Sequence, residues 1–172
     1  NSVTTRWDWV SLRNKIKRFG VRNSLLIGLM PTASTSNLLG YSEGIEPYQS
    51  NIYTRSTGFG EYAVFNRHLY RDLVELGLWT EAVRKNIIAN RGSIQNIEGL
   101  PSDVKARYCT VWEMKQKAII DQAADRGRFV DQSQSMNLFK ASPSVQTVLS
   151  MHFYAFSRGL KTGMYYLRSK SP

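Results

Sequence analysis

The residues that could do chemistry fall in two places. Thr32-Ala33-Ser34-Thr35 follows the apolar run Leu25 to Met30 directly after Pro31, and it carries three hydroxyls in four positions. Hydroxyls and backbone N–H groups at the carboxyl end of a strand are what α/β folds use to bind ligands, and a helix starting there adds its positive end for an anion. The same residues serve equally as a helix N-cap, which needs no ligand. Far along the chain, Tyr165 and Tyr166 are adjacent. Consecutive side chains in a strand point to opposite faces, so packing accommodates both tyrosines only if each face is covered and each phenol finds a partner.

Other candidates carry less. Cys109 is the single cysteine; it lies between Tyr108 and Val111 in a predicted helix, with no His or Cys close in sequence to lower its pKa, and reads as a structural thiol. His68 at a helix start and His152 on an apolar helical face read as capping or packed histidines. With one cysteine they make no credible metal site, so no metal is expected. Glu43 and Glu46 stand three apart in a turn-rich loop, where solvated charge is the expectation.

The elements that must position these residues follow from periodicity. Trp9, Leu12, Ile16 and Phe19 share one helical face, closed by Gly20. Ser24 to Met30 reads as a strand buried on both faces, the signature of a parallel sheet. Asn51 to Arg55 and Glu61 to Phe65 read as a hairpin around residues 56–60. Leu69, Leu73 and Leu76 mark a helix ending at Gly77, and Thr80 caps a second helix carrying Ala82, Val83, Ile87 and Ile88. Pro101-Ser102 opens what reads as one long helix to Gly127, with Val104, Tyr108, Val111, Trp112, Ile119 and Ala123 on its face. Phe129 to Phe139 is expected to contain a strand with a polar start. Ser142-Pro143 caps a last helix whose face is Val145, Val148, Leu149, His152 and Phe156, and Met164 to Leu167 closes as a strand. Helices separating short strands argue a mainly parallel α/β sheet or barrel. With no internal repeat or low-complexity linker, 1–172 reads as a single segment.

Composition bounds the rest. The chain has 172 residues, 42% of them hydrophobic, enough for a sizeable core, and a net charge of +10 from 23 Lys+Arg against 13 Asp+Glu. That charge pulls toward nucleic acid, nucleotides or an anionic surface without choosing among them. One cysteine excludes an intramolecular disulfide and a multi-cysteine zinc cluster, so a reducing, cytoplasmic interior is the default, with a reducing organelle also open. The longest apolar run is too short to span a bilayer, and neither a membrane helix nor a signal peptide is visible. A first residue of Asn rather than Met points to a processed or partial chain.

Taken in order, Arg22-Asn23-Ser24-Leu25-Leu26, Met30-Pro31-Thr32-Ala33-Ser34-Thr35, Glu46-Pro47-Tyr48, Ser50-Asn51-Ile52-Tyr53-Thr54-Arg55, Gly77-Leu78-Trp79, Asp131-Gln132-Ser133-Gln134-Ser135 and Leu160 to Arg168 resemble the large (α) subunit of class I ribonucleotide reductase, of eukaryotic or viral type. The resemblance runs from about Trp7 to Pro172 and concerns the C-terminal part of that subunit's catalytic barrel. It implies an α/β fold, the later strands of a ten-stranded α/β barrel built from two five-stranded parallel halves, incomplete in this chain alone. It implies that Thr32, Ala33, Ser34 and Thr35 hold the diphosphate of a ribonucleoside diphosphate. Tyr165 and Tyr166 match the pair that passes an oxidising equivalent from the radical-generating small subunit to the active-site cysteine. The helices beginning near Val104 and Ser142 resemble the region where the small subunit's C-terminal tail docks.

The departures matter as much. The family's Asn-x-Cys-x-Glu motif, its ribose-reducing cysteine pair and its Cys-x-x-Cys tail do not occur here. Cys109 falls at a position without a redox role in the family. The resemblance therefore implies a chain inactive alone, completed by a remaining large-subunit polypeptide with the catalytic cysteines. No cofactor is expected in this chain, the family's metal-radical cofactor residing in the small subunit. The alternative is a repurposed, non-catalytic component of a larger assembly, with RNA or ribonucleoprotein neighbours drawn by the charge. An independent nucleotide-binding module would have to close its own strand edges.

Overall fold

The computed structural model describes residues 6–170. Helix α1 (Trp9–Phe19) begins where the Asp8 carboxylate accepts from the Ser11 amide and stops at Gly20. Helix α2 (Ala33–Leu39) starts directly after Thr32 and ends on left-handed Gly40. Strands β1 (Ile52–Thr57) and β2 (Gly60–Phe65) form the expected antiparallel hairpin. Asn66 caps α3 (Arg67–Glu75) by accepting from the His68 and Leu69 amides, and Thr80 caps α4 (Glu81–Ala89) through the Val83 amide. Then come α5 (Ser102–Arg107), α6 (Gln116–Arg126), β3 (Asn137–Phe139), α7 (Val145–Ser157) and β4 (Tyr166–Arg168).

Two hydrophobic clusters hold these elements. Leu69, Leu73 and Ile87 of α3 and α4 pack with Ile94, Ile97, Leu100 and Val104. Val111 joins Ile119, Ile120 and Ala123 of α6, Leu138 and Phe139 of β3 with the preceding Met136, and Ala155 of α7. Strand β3 pairs in parallel with β4, matching Asn137 to Tyr166, and a parallel bridge joins Leu29 to Gln134. The run 131–139 is thus flanked by the end of the 24–30 segment at its start and by β4 at its finish. This is an α/β barrel fragment: among the described residues the parallel strands do not close on themselves.

Three expectations are corrected. Segment 24–30 is not a strand buried on both faces; it makes one bridge, and Leu26 is 70% and Met30 77% exposed. A parallel strand is buried by helices on its faces and strands on its edges. Here one edge meets residues 131–134, and nothing among the described residues covers the rest. The long helix from Ser102 to Gly127 is broken between α5 and α6. The Val111 amide donates to the Tyr48 carbonyl, the Thr110 amide to the Glu113 carboxylate, and the Gln116 side chain to the Val111 and Met114 carbonyls. Tertiary and side-chain partners replace helical ones there, and Val104 and Val111 enter different clusters.

Regular strand structure in 129–139 is confined to β3, after a single 3-10 turn at Gly127–Phe129. Helix α7 buries Ala155, with Met151 and Tyr154 packed beside it, whereas Val145, Leu149, His152 and Phe156 are exposed. The choice of face is set by α6, whose Asp121 accepts from the Tyr154 hydroxyl at 2.6 Å and from Arg158 Nε at 2.9 Å.

Candidate functional site

The hydroxyl stretch lies at the start of α2. Thr32 does not cap this helix with its side chain; its amide and hydroxyl both donate to the Glu43 carbonyl, at 2.9 and 3.4 Å. The hydroxyls of Ser34 and Thr35 are exposed, and among the described residues no protein group takes them. The loop therefore presents uncommitted donors at a helix start while its entry is fixed from Glu43.

Tyr165 precedes β4 and Tyr166 begins it, so the simple alternation expected of two strand residues does not apply. Their rings meet with centroids 4.4 Å apart and planes inclined at 63°. The Tyr165 amide donates to the Met136 carbonyl at 2.6 Å, and Asn137 is the register partner of Tyr166. Each residue is about half exposed, at 56% and 50%. The neighbouring Tyr166 hydroxyl pushes the Tyr165 phenol above its ordinary pKa, with Arg168 pulling the other way. The Arg168 guanidinium sits 4.8 Å from the centre of the Tyr166 ring, a cation–π contact.

These two places, 130 positions apart in sequence, share one cleft of about 210 Å³. Pro31, Ala33, Ser135, Asn137 and both tyrosines are among its lining, whereas Thr32, Ser34 and Thr35 are not. The chain thus brings Ala33, the first residue of α2, to the same cleft as a contacting phenol pair.

Sequence reading missed Glu46, expected as solvated charge. It is only 8% exposed and accepts from the Asn137 amide at 2.5 Å and from Asn137 Nδ2 at 3.4 Å. Nothing in its spacing signals this; the tie spans 91 residues of sequence. Asp131 stands in the sequence only as part of a motif, yet its carboxylate receives the Leu26 and Ile27 amides at 2.8 and 3.0 Å. Those two bonds hold it below the usual carboxylate range.

The remaining candidates do not converge on the cleft. Cys109 is in the break between α5 and α6, not in a helix, and burial followed by the Glu113 charge pushes its thiol up. His68 lines a separate cleft with it, but a thiol raised in this way is a poor nucleophile. The His152 ring lies against Gly163, where an added Cβ would come within 2.5 Å of Nδ1. A larger cleft of about 700 Å³ runs between α6 and α7, lined by Lys115, Lys117 and Lys140 with Trp112, Phe139 and Met151.

Comparison with known proteins identifies the family of the chain. The family model "Ribonucleotide reductase, barrel domain" matches residues 1–166. The large subunit of ribonucleoside-diphosphate reductase from Caenorhabditis elegans is 57% identical over 97% of this chain, and the large chain from Neurospora crassa 55% over 98%. The chain spans only 21% and 18% of those two proteins, about a fifth of their length. Among solved structures, the Actinobacillus ureae class Id ribonucleotide reductase alpha subunit superposes with a TM-score of 0.76 at 34% identity, covering 91% of this chain and 28% of that one. By family model, sequence and structure alike, this chain belongs to the ribonucleotide reductase barrel-domain family.

Proposed function

We propose that this chain supplies the substrate-diphosphate loop and the radical-transfer tyrosines of a ribonucleoside-diphosphate reductase large subunit. The observation that carries the reading is the shared cleft: Ala33, which opens α2 after the Pro31-Thr32 turn, and the Tyr165–Tyr166 pair line it together. In this reading Thr32, Ala33, Ser34 and Thr35 form the diphosphate loop: Thr32 anchors its entry on the Glu43 carbonyl, and first-turn amides of α2 with the open hydroxyls of Ser34 and Thr35 receive the diphosphate.

The tyrosines act as a relay. A phenoxyl radical on one takes an electron and a proton from the other, so one O–H bond forms as another breaks and the oxidising equivalent moves by one residue. The last phenoxyl takes a hydrogen atom from a cysteine thiol of the remaining large-subunit polypeptide, leaving a thiyl radical there. The ring contact, with centroids 4.4 Å apart, supports passage of an electron between the two phenols, and the proton follows once their hydroxyls come within hydrogen-bond reach. The initial oxidising equivalent arises in the small subunit at its metal-radical cofactor, and no cofactor is assigned to this chain. The lysine-lined cleft between α6 and α7 suits that subunit's C-terminal tail, because a chain terminus always brings a carboxylate. Turnover then depends on partner chains, in a reducing compartment such as the cytoplasm.

The net charge of +10 favours a second reading, a structural component among RNA or ribonucleoprotein neighbours. Isolation of the native assembly separates the two. A partner bearing Asn-x-Cys-x-Glu and Cys-x-x-Cys supports the reductase; RNA and unrelated proteins alone support the scaffold. In the reconstituted enzyme Tyr165→Phe or Tyr166→Phe removes the transferable phenolic hydrogen and should abolish turnover, with nucleoside diphosphate affinity changed less than about twofold. Unchanged turnover overturns the relay.

A further inference from the structure

We infer that Glu46 is a positioning residue, whose buried carboxylate holds the tyrosine pair in fixed relation to the hydroxyl loop. The inference rests on the relay reading above but arises from a separate feature, a carboxylate only 8% exposed that has no ion pair. Among the described residues no Lys, Arg or His nitrogen closes a salt bridge with it; Arg126 contributes only its field. A buried charge is costly unless hydrogen-bonded, and both bonds here come from one residue, Asn137.

A carboxylate only accepts, so the Asn137 NH2 group is obliged to face it and the amide cannot turn over. That fixes the residue paired with Tyr166, one position after the carbonyl that holds the Tyr165 amide. Three residues before Glu46, the Glu43 carbonyl takes the Thr32 amide. Within 43–46, therefore, a carbonyl secures the hydroxyl loop and a carboxylate secures the strand beside the tyrosines. Gly44 makes this fold-back possible: a Cβ there would lie 2.4 Å from Glu46 Oε2.

The test uses the assembled reductase containing this chain. Asn137→Asp sets two carboxylates face to face and should lower kcat about tenfold or more, with KM for the nucleoside diphosphate changed less than about threefold. In Glu46→Gln/Asn137→Asp the donor and acceptor roles are exchanged, the backbone amide keeps its acceptor, and kcat should return to within about threefold of the parent. The radical yield on a 3-aminotyrosine placed at position 166, read by EPR, should fall and recover in step. If Asn137→Asp does not fold, Gly44→Ala, which pushes on the carboxylate without changing any charge, takes its place with the same expectation for kcat and radical yield.

Parental kcat in the single variant, or a folded double variant no better than the single, overturns the role of Glu46. Parallel assay of Tyr166→Phe separates the two claims. If it is inactive while Asn137→Asp is fully active, only the positioning role falls; if it is active, the relay itself falls.

Discussion

Leu25, Leu26 and Ile27 are as apolar as Leu69, Leu73 and Ile87, yet the first three are half or more exposed and the second three are fully buried. The difference lies in where their partners are. Leu69 and Leu73 stand four apart on α3 and meet Ile87 of α4, so a few dozen residues of chain bring the whole cluster together. Segment 24–30 meets its one recorded strand neighbour more than 100 residues later, and along one edge only. Apolar pattern says that a segment is to be covered; it does not say that the covering residues are in the same chain.

The largest test of that contrast is truncation on each side. Leu69→Ala or Leu73→Ala leaves a cavity in a closed cluster and should cost about 2 to 5 kcal/mol in urea unfolding of this chain. Leu26→Ser should change it by less than about 0.5 kcal/mol, as for other exposed positions. Comparable losses on both sides would break the comparison, because they would require residues 24–30 to be packed. In an assembly with the rest of the barrel, the Leu26→Ser cost should rise as the exposed face acquires neighbours.

Next in size is the joint that ties the hairpin to α4. Asn51 is 2% exposed; its side chain donates to the Gly92 and Tyr108 carbonyls at 2.9 and 2.8 Å and accepts from Asn66 at 2.9 Å. Gly92 has a φ of 87°, and a Cβ there would lie 1.9 Å from Ser50 Oγ and 2.6 Å from the Asn51 amide nitrogen. Gly92→Ala combines left-handed strain with a backbone clash and should cost about 1 to 3 kcal/mol in the same measurement. A neutral result would show that residues 50–51 yield easily, and that the first cluster is closed by its apolar contacts alone.

What the sequence revealed follows the same division between near and distant partners. The caps at Asn66 and Thr80 and the hairpin were legible because their bonds close within a few residues. The break after α5 was not, because Val104 and Val111 keep helical spacing while the Val111 amide bonds to Tyr48, 63 positions earlier. The face of α7 was misjudged for a related reason: a polar network through Asp121 and Tyr154 selects a less apolar side. At the site, the hydroxyl stretch and adjacent tyrosines stood out by residue type, and the ordered motifs pointed to the family. Their common cleft and the burial of Glu46 depend on ties across most of the chain, which no local pattern carries.

The smallest effect sharpens the comparison from the exposed side. Segment 24–30 is held at its middle by Asp131, whose carboxylate takes the Leu26 and Ile27 amides while the Asp131 amide donates back to the Ile27 carbonyl at 3.0 Å. Because the folded carboxyl titrates below its ordinary value, its contribution is complete above the unfolded pKa of about 3.9 and is lost as pH falls through the depressed folded value. Acidification across that window should lower the hydrogen-exchange protection factors of Leu26 and Ile27, taken against intrinsic rates at each pH, while leaving Leu69 and Leu73 protected. Asp131→Asn should produce the same local loss at neutral pH, since the amide keeps one oxygen acceptor but no charge. If exchange at Leu26 and Ile27 does not respond to either change, the two amides are held by more than Asp131, and the segment is anchored by packing that its exposure does not reveal.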